Sequence, residues 1–211
     1  MRIISGWAKG RKLFTPPARN NSIRPTSDRA REALFNILGE QVVGAQVLDL
    51  FAGTGALGVE ALSRGAEGVC FVDFLPQALE LITKNIQICM DALYHQQSLL
   101  QQGTVHPEPL KPVTLLKHDL RRGLPYFSEK MRSTQGFDLI FVDPPYSQGL
   151  SRQLLLALDN STLLHKQTMV VVEDRAKEAL PEKLTRLALV DQRKYGEAGF
   201  WFYQPLAAEM N

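Results

Sequence analysis

The sequence has few cysteines and no long apolar run, and these absences exclude several classes of protein. Its 211 residues include only two cysteines, Cys70 and Cys89, and both lie in apolar surroundings. We therefore expect buried free thiols rather than a disulfide scaffold or a cysteine metal site. No apolar stretch approaches the ~18 residues of a membrane-spanning helix. The first residues, MRIISGWAKGRKL, lack the apolar segment of a signal peptide, so we expect a cytoplasmic protein with no membrane partner and no metal.

The chain also lacks a large excess of charge of either sign. Its formal net charge is +2, and its 45% apolar and 22% charged residues are those of an ordinary globular protein. The charge is nevertheless uneven, because residues 1–31 hold eight basic side chains and a single acidic one. The basic residues are Arg2, Lys9, Arg11, Lys12, Arg19, Arg24, Arg29 and Arg31. This local excess favours contact with a nucleic acid, although a solvated surface segment is the alternative.

From residue 46 onward, short apolar runs alternate with helical segments, and there is no internal repeat. The runs predict strands at 46–50, 69–73, 113–117, 138–142 and 168–173, with helices at about 56–64, 75–90 and 150–158. Strands that are apolar on both faces and alternate with helices predict a parallel sheet covered on both sides. Segments 185–193 and 200–204 then predict a terminal antiparallel hairpin. This α/β arrangement is that of the Rossmann-like class I S-adenosylmethionine methyltransferases.

Ahead of this domain, which we place at 41–211, residues 1–40 are predicted to form a basic N-terminal extension. Segments 2–5 and 11–15 predict a small hairpin, and RPTSDRAREALFNIL predicts a helix that ends near Leu38. Residues 91–112 fit no strand-helix register. We expect a helix extension followed by a surface excursion there, and assign it no chemistry.

A glycine-rich loop follows the first predicted strand. Residues 49–58 read DLFAGTGALG, in which Gly53, Gly55 and Gly58 satisfy G-x-G-x-x-G. Glycine is needed there because the backbone must turn sharply and approach a ligand closely, but the motif alone also describes dinucleotide sites. Asp73 ends the next strand, where a carboxylate can accept the hydrogens of two ribose hydroxyls. The alternative is that Asp73 only caps the following helix.

Asp49, directly before the loop, favours one cofactor over the other. A carboxylate at this position would repel a pyrophosphate, whereas it would attract the sulfonium and ammonium groups of S-adenosylmethionine. The loop therefore indicates methyl transfer rather than hydride transfer.

The tetrad Asp143-Pro144-Pro145-Tyr146 follows the fourth predicted strand. The carboxyl ends of parallel strands line the ligand crevice, so the tetrad should face the same cleft as the glycine loop. Asp143 and the Pro144 carbonyl can accept the two N–H groups of an exocyclic base amine and stabilise the positive charge that develops on it. Tyr146 offers a flat face on which the target base can stack. A simple strand terminator is the alternative for this motif taken alone.

Several segments in this order resemble a known family. RIISGWAKGRKL, RPTSDRAREALFNIL, VLDLFAGTGALGVEALSRGA, FVD and FDLIFVDPPY are similar to the bacterial 16S rRNA guanine-N2 methyltransferases of the RsmD type. The resemblance runs from Arg2 to about Tyr146 and resumes weakly at RKYGEAGFWFY. Residues 91–112 are longer than the family's usual connection.

The resemblance implies that S-adenosylmethionine methylates a guanine amine of small-subunit rRNA. It assigns the cofactor to Asp49, Gly53, Gly55, Asp73 and Asp119, and catalysis to Asp143, Pro144, Pro145 and Tyr146. Asp119 would contact the adenine amine, with capping as the alternative, and Arg24 and Thr26 would border the active site.

The basic extension supplies the candidates for RNA contact. Phosphate contacts are expected from Arg2, Lys9, Arg11, Lys12, Arg24, Arg29 and Arg31, with Trp7 as a stacking residue. For Arg29 and Arg31 the alternative is a solvated helix face that pairs with Asp28 or Glu32, and for Trp7 it is a place in the core.

The same residues are compatible with other functions. The tetrad would also serve an adenine-N6 nucleic-acid methyltransferase. More distant alternatives are an NAD-dependent oxidoreductase that uses the glycine loop and a non-catalytic RNA-binding assembly factor. The expected partner is 16S rRNA or the small ribosomal subunit, and we expect a monomer.

Overall fold

The computed structural model describes residues 1–16, 28–100, 113–128, 136–146 and 148–206. Within these ranges the helices are α1 Asp28–Leu38, α2 Ala56–Ser63, α3 Pro76–Leu100 and α4 Leu150–Asp159. The strands are β1 Gln46–Leu50, β2 Gly68–Asp73, β3 Val113–Lys117, β4 Phe137–Val142, β5 Leu164–Arg175, β6 Leu187–Tyr195 and β7 Ala198–Pro205. No helix in the described ranges is long and apolar enough to cross a membrane.

The strands form one sheet in the order β3-β2-β1-β4-β5-β7-β6. Strands β1 to β5 pair in parallel, whereas β7 pairs antiparallel with both β5 and β6. This confirms the predicted parallel sheet with an antiparallel hairpin at its end. The order reverses at β1, because β2 and β3 extend the sheet to one side and β4 extends it to the other. Such a switch point opens a crevice at the carboxyl ends of the two central strands.

Alternate residues of the central strands enter two separate cores, as the side-chain period of a strand requires. Val47 and Phe71 pack on the face covered by α1, α2 and α3. Leu48 and Val72 pack on the other face, together with Leu154 of α4. Burial on both faces explains why these strands are continuous apolar runs in the sequence.

Residues 1–13 fold back on themselves as a narrow hairpin, hereafter the N-terminal hairpin. The Ile3 N–H donates to the Arg11 carbonyl at 2.9 Å, and the Gly10 N–H donates to the Ile3 carbonyl at 2.8 Å. Ile3, Ala8 and Leu13 are buried and belong to the same core as α2 and α3. The apolar side of the hairpin therefore anchors it to the sheet's helical layer, and its basic side chains face outward.

Two elements extend beyond the ranges 75–90 and 168–173, the first of them in the helix extension that the sequence predicts. Helix α3 continues to Leu100, which places part of the unassigned segment 91–112 in a helix, as expected, while residues 101–112 lie outside the described ranges. Strand β5 begins at Leu164, before the apolar run, because its first residues pair beside Phe137 across an irregular register. Cys70 and Cys89 are free and buried, as predicted, and burial raises the pKa of each thiol to about 12.

Candidate active site

The glycine loop and the DPPY tetrad meet at the switch point of the sheet. Strands β1 and β4 are direct neighbours, with Leu50 in register with Val142. One residue further on, the Asp143 N–H donates to the Leu50 carbonyl at 3.3 Å. The tetrad therefore begins beside the residue from which the glycine loop departs, as the sequence predicts for the carboxyl ends of neighbouring parallel strands.

The backbone of the glycine loop is held in conformations that few residue types adopt. Phe51 has a φ of 60°, a left-handed value that is uncommon and strained for a residue with a side chain. Gly58 serves a different purpose in α2. A Cβ at Gly58 would lie 2.3 Å from the Phe71 ring, so glycine lets α2 approach β2 closely. Gly58 therefore brings the first turn of α2 close to the sheet, directly behind the loop.

Asp49 lies at the back of this loop rather than at its surface. Its carboxylate is buried and accepts the Gly58 N–H at 3.0 Å. Burial raises the pKa of Asp49 to about 7, and the nearby charge of Asp73 adds to the increase, partly offset by the Gly58 hydrogen bond. Among the described residues, no Lys or Arg contributes to stabilising this carboxylate. Asp49, which was predicted to bind the cofactor, is thus a buried carboxyl group beneath the loop, and no basic side chain in the described ranges offsets its negative charge.

Asp73 joins the end of β2 to the glycine loop. One carboxylate oxygen accepts the Gly53 N–H at 2.9 Å, and the other accepts the Leu75 N–H at 2.9 Å. The capping role that the sequence left open is therefore present. Each oxygen retains acceptor capacity, because a carboxylate oxygen can accept more than one hydrogen bond. Asp73 thus fixes the loop and can still accept hydroxyl hydrogens from a ribose.

Asp119, which follows β3, is engaged with Arg121. The Asp119 carboxylate accepts the Arg121 Nε–H and a terminal guanidinium N–H, both at 2.8 Å, and caps the backbone at the same residue. The hydrogen bond from Arg121 is the main cause that lowers the pKa of Asp119. The Arg121 guanidinium lies 4.8 Å from the centre of the Phe74 ring. The predicted adenine contact therefore lies one strand beyond Asp73 and has a capping role in this structure.

The tetrad contains one feature that the sequence analysis missed. Tyr146 donates its hydroxyl hydrogen to a Glu173 carboxylate oxygen at 3.0 Å. Glu173 is buried near the end of β5, the strand next to β4. Part of the signal is local, because VVVED ends an apolar run with acidic residues at the same edge of the sheet, but the pairing with Tyr146 is not. Pro144 is buried and Pro145 is exposed, so the chain turns at the crevice with its first proline packed inward.

The basic residues predicted to contact RNA are exposed, outside the described ranges or, in the case of Arg31, buried. Arg2, Lys9, Arg11, Lys12 and Arg29 are exposed. Arg24, like Thr26, lies outside the described residues.

The prediction for Arg31 is wrong. Arg31 is fully buried, donates to the Arg2 carbonyl and to Asp28 at 3.0 Å, and has Glu60 at 3.9 Å. Its face of α1 points inward because Glu60 of α2 supplies a buried counter-charge. Trp7 is half-buried and packs against the core, which agrees with the alternative given for it.

Three polar residues on α2 and α3, all missed by the sequence analysis, fix the N-terminal hairpin. Glu60 accepts the N–H groups of residues 4 and 5 at 2.7 and 3.0 Å. Ser63, one turn further along α2, accepts the Ala8 N–H at 3.0 Å. Asn85 of α3 binds both backbone polar groups of Phe14. The exposed basic side chains therefore stand on a segment that is bound to the helices around the crevice.

The site fits a cationic, ribose-containing cofactor in its charge and its acceptors. The charge of Asp73 raises the electrostatic cost of a charged Asp49, and a positive group near Asp49 would relieve it. Asp73 supplies acceptors at the end of β2, and the loop between the two acids offers a close backbone approach at Gly53. These features suit S-adenosylmethionine better than an anionic dinucleotide.

Comparison with known proteins gives consistent results. The family model described as conserved hypothetical protein 95 matches residues 1–204. The ribosomal RNA small subunit methyltransferase D of Escherichia coli strain K12 is 31% identical over 204 residues, which cover 97% of this chain and 89% of that protein. YlbH of Bacillus subtilis, provisionally named an rRNA methyltransferase, is 34% identical over 97% of this chain and 98% of its own length. Among solved structures, Escherichia coli yhhF, provisionally named a methyltransferase, matches with a TM-score of 0.67 and 29% identity over 98% of each chain.

Proposed function

Since the chain belongs to the RsmD family of bacterial small-subunit rRNA methyltransferases, we propose that it transfers a methyl group from S-adenosylmethionine to the exocyclic N2 amine of a guanine in 16S rRNA. The observation that carries this proposal is the hydrogen bond between the Asp143 N–H and the Leu50 carbonyl. It brings an amine-binding tetrad to the edge of a glycine loop that suits a cationic cofactor.

The tetrad addresses the weak nucleophilicity of a guanine amine. Its nitrogen lone pair is delocalised into the ring, so attack requires the nitrogen to become pyramidal. The Asp143 carboxylate accepts one amine N–H and the Pro144 carbonyl accepts the other, which favours that geometry. Both groups are negative or partly negative, so they also stabilise the positive charge that develops on the nitrogen during attack. Pro144 and Pro145 restrict φ and keep the two acceptors in a fixed relation.

Tyr146 orients the base. Its ring stacks against the guanine, and its hydroxyl donates to the buried Glu173 at 3.0 Å, which fixes the direction in which the side chain points. A fixed stacking surface aligns the amine with the incoming methyl group, and such alignment is a large part of the rate when the methyl donor is already activated. The guanine must leave its stack to reach this ring, which is least costly in a loop or junction of folded RNA.

On the cofactor side, Asp73 and Gly53 would hold the ribose of S-adenosylmethionine, and Asp49 would stabilise its positively charged groups. S-adenosylmethionine supplies an activated methyl group on a positively charged sulfur when it is bound. Asp119 stands beyond Asp73 at the end of the neighbouring strand and would accept the adenine amine if its pairing with Arg121 opened.

The N-terminal hairpin provides the RNA-binding surface. Arg2, Lys9, Arg11 and Lys12 are exposed on it, and Arg29 is exposed on α1. Contacts of these side chains with phosphates give affinity and salt dependence but no choice of sequence. Recognition of one guanine then depends on RNA shape and on the contacts made inside the crevice.

The proposal is tested by incubating the protein with S-adenosylmethionine and small ribosomal subunits from a strain that lacks the corresponding methyltransferase. Digestion to nucleosides and mass spectrometry should show one new N2-methylguanosine per subunit. The appearance of N6-methyladenosine would instead identify an adenine enzyme. If neither product forms while the protein binds S-adenosylhomocysteine, the proposed reaction is wrong.

A further inference from the structure

Phe14, directly after the N-terminal hairpin, has an exposed ring on a backbone that is unusually well held. The preceding residue, Leu13, is buried in the core with 3% exposure, whereas Phe14 is 52% exposed. An extended chain turns successive side chains to opposite sides, so anchoring Leu13 directs the Phe14 ring outward. A large aromatic ring in this position contributes little to the core.

The backbone of Phe14 is bound on both sides by one buried carboxamide. Asn85 is fully buried, and its side-chain oxygen accepts the Phe14 N–H at 2.7 Å. Its amide nitrogen donates to the Phe14 carbonyl at 3.1 Å and to the Thr54 carbonyl at 2.9 Å. Burying a carboxamide is unfavourable unless its polar atoms are bonded, and here the oxygen and both N–H groups have partners. The same side chain therefore ties Phe14 to the glycine loop.

The hairpin has a defined direction relative to the crevice. Its tip, at residues 6–8, is bonded to Ser63 at the C-terminal end of α2, whereas Phe14 is tied to Thr54 just before the N-terminal end. Helix α2 has eight residues and so spans about 12 Å. Along this path Phe14 stands nearest the glycine loop, and the exposed basic side chains of Lys12, Arg11 and Lys9 follow outward.

This order matches the chemistry of a single strand of RNA leaving the crevice. When the target guanine is turned out of its stack, its neighbour loses a stacking partner. A rigid aromatic ring beside the crevice replaces that partner, and cations further along the path bind the phosphates that follow. We propose that Phe14 is a stacking platform for an unpaired nucleobase that flanks the methylated guanine. This inference rests on the proposed function.

The platform is tested by measuring how substitutions at Phe14 change the KM for methylation of unmodified small subunits. Phe14→Ala and Phe14→Leu should each raise the KM for subunits roughly tenfold, since stacking on an aromatic ring is lost in both. Phe14→Trp should restore the wild-type KM. The affinity for S-adenosylhomocysteine should not change in any of them. Tyr126→Ala is the matched control, because Tyr126 is 87% exposed and adjoins Phe127, which packs on Phe137 at the opposite edge of the sheet.

A binding measurement separates this inference from the methylation reaction itself. A short synthetic single-stranded RNA that contains one guanine is compared, by fluorescence anisotropy, with the same RNA that keeps this guanine but is abasic at the positions on either side of it. The wild-type protein should bind the abasic RNA several-fold more weakly, and Phe14→Ala should bind both equally. The proposal is wrong if Phe14→Ala keeps the wild-type discrimination, if Phe14→Leu behaves like the wild type, or if cofactor affinity falls in parallel. Absence of methylation by the wild type would instead count against the proposed function.

Discussion

The crevice and the N-terminal hairpin both adjoin α2 but are built in different ways. At the crevice, the proposed functional residues lie within two residues of a strand end or in the loop that follows, and Asp49 and Asp73 accept backbone N–H groups from the glycine loop and the start of α2. The hairpin is held instead by side chains distant in sequence, such as Glu60, Ser63 and Asn85, which lie on α2 and α3. The comparison shows that the positions of the proposed crevice residues follow from nearby sequence, whereas the position of the proposed RNA-binding surface depends on contacts between residues far apart in the chain.

This difference implies that substitutions in the crevice and substitutions in the hairpin should impair different activities of the protein. Damage to the tetrad should remove the reaction and leave the fold and the cofactor site intact. Damage to the hairpin should reduce RNA binding and leave cofactor binding intact.

The largest effect is expected from Asp143→Ala. Removing an acceptor that is strongest in the transition state should lower kcat by about a hundredfold to a thousandfold or more. Turnover is measured by methyl transfer to unmodified small subunits, and cofactor binding by calorimetry with S-adenosylhomocysteine. Asp143→Asn is a matched variant that keeps the size of the side chain and one acceptor, so its loss should be smaller. If Asp143→Ala loses cofactor affinity as severely as turnover, the residue belongs to the cofactor site and its assignment here is wrong.

The ease with which the crevice could be predicted follows from local geometry. A parallel strand that ends at a glycine loop or at DPPY places its last residue at one edge of the sheet, so the sequence alone brings Asp49, Asp73 and Asp143 to one crevice. The bond between Tyr146 and Glu173 joins two strands separated by α4. No local pattern specifies that bond.

The hairpin was harder to predict because its partners are distant in sequence. Charge counting identified the basic side chains of residues 1–31, but it could not distinguish the outward arginines of the hairpin from the inward Arg31 of α1. Arg31 has the spacing of a surface ion pair with Asp28, yet the charge that allows its burial belongs to Glu60, 29 residues later. Its inward direction becomes visible only when α1 and α2 are packed together.

The second prediction compares two glycines of the hairpin. Both have left-handed backbone, with φ of 78° at Gly6 and 84° at Gly10. A Cβ at Gly6 would stand 1.7 Å from the Ser63 carbonyl oxygen, whereas at Gly10 nothing lies within 4 Å. Gly10→Ala should cost only the roughly 1–2 kcal/mol of the strained backbone, and Gly6→Ala should cost more because the hairpin must move off α2.

Hydrogen exchange of the hairpin amides and thermal unfolding measure this difference. Gly6→Ala should lose protection at the N–H groups of residues 3, 7 and 8 and weaken RNA binding, with cofactor affinity unchanged. Equal effects of the two substitutions would show that contact with Ser63 does not hold the hairpin.

The third prediction concerns charge on the same surface. Reversing Lys9 and Lys12 to Glu should weaken binding to small subunits and lower the slope of log K against log salt, since each lost phosphate contact reduces that slope by about 0.7 to 0.9. Lys166 and Lys183 are the matched control, because both are exposed near the starts of β5 and β6, at the amino edge of the sheet. Reversing them to Glu should leave the slope near the wild-type value. An equal drop of the slope in both double variants would mean that binding depends on the net charge of the protein and not on the position of the lysines.

The smallest effect is expected at Asp49, through its protonation. Burial raises its pKa to about 7 from an ordinary value of 3.8, so between these values the folded protein holds a proton that the unfolded chain has released. This group's contribution to stability therefore falls as pH rises from about 4 to about 7 and is constant above that range. A cation beside the carboxylate favours its charged form, so affinity for S-adenosylmethionine should rise several-fold between about pH 6 and pH 8 relative to affinity for S-adenosylhomocysteine, whose sulfur is neutral.

Asp49→Asn should remove that difference while keeping the acceptor for the Gly58 N–H, and it should flatten the stability profile between about pH 4 and pH 7. Calorimetric titration of both ligands across this range, with the wild type and the variant, measures the effect. A parallel pH dependence for the two ligands would mean that Asp49 does not sense the charge on the cofactor sulfur, and that its carboxylate only fastens α2 to the end of β1.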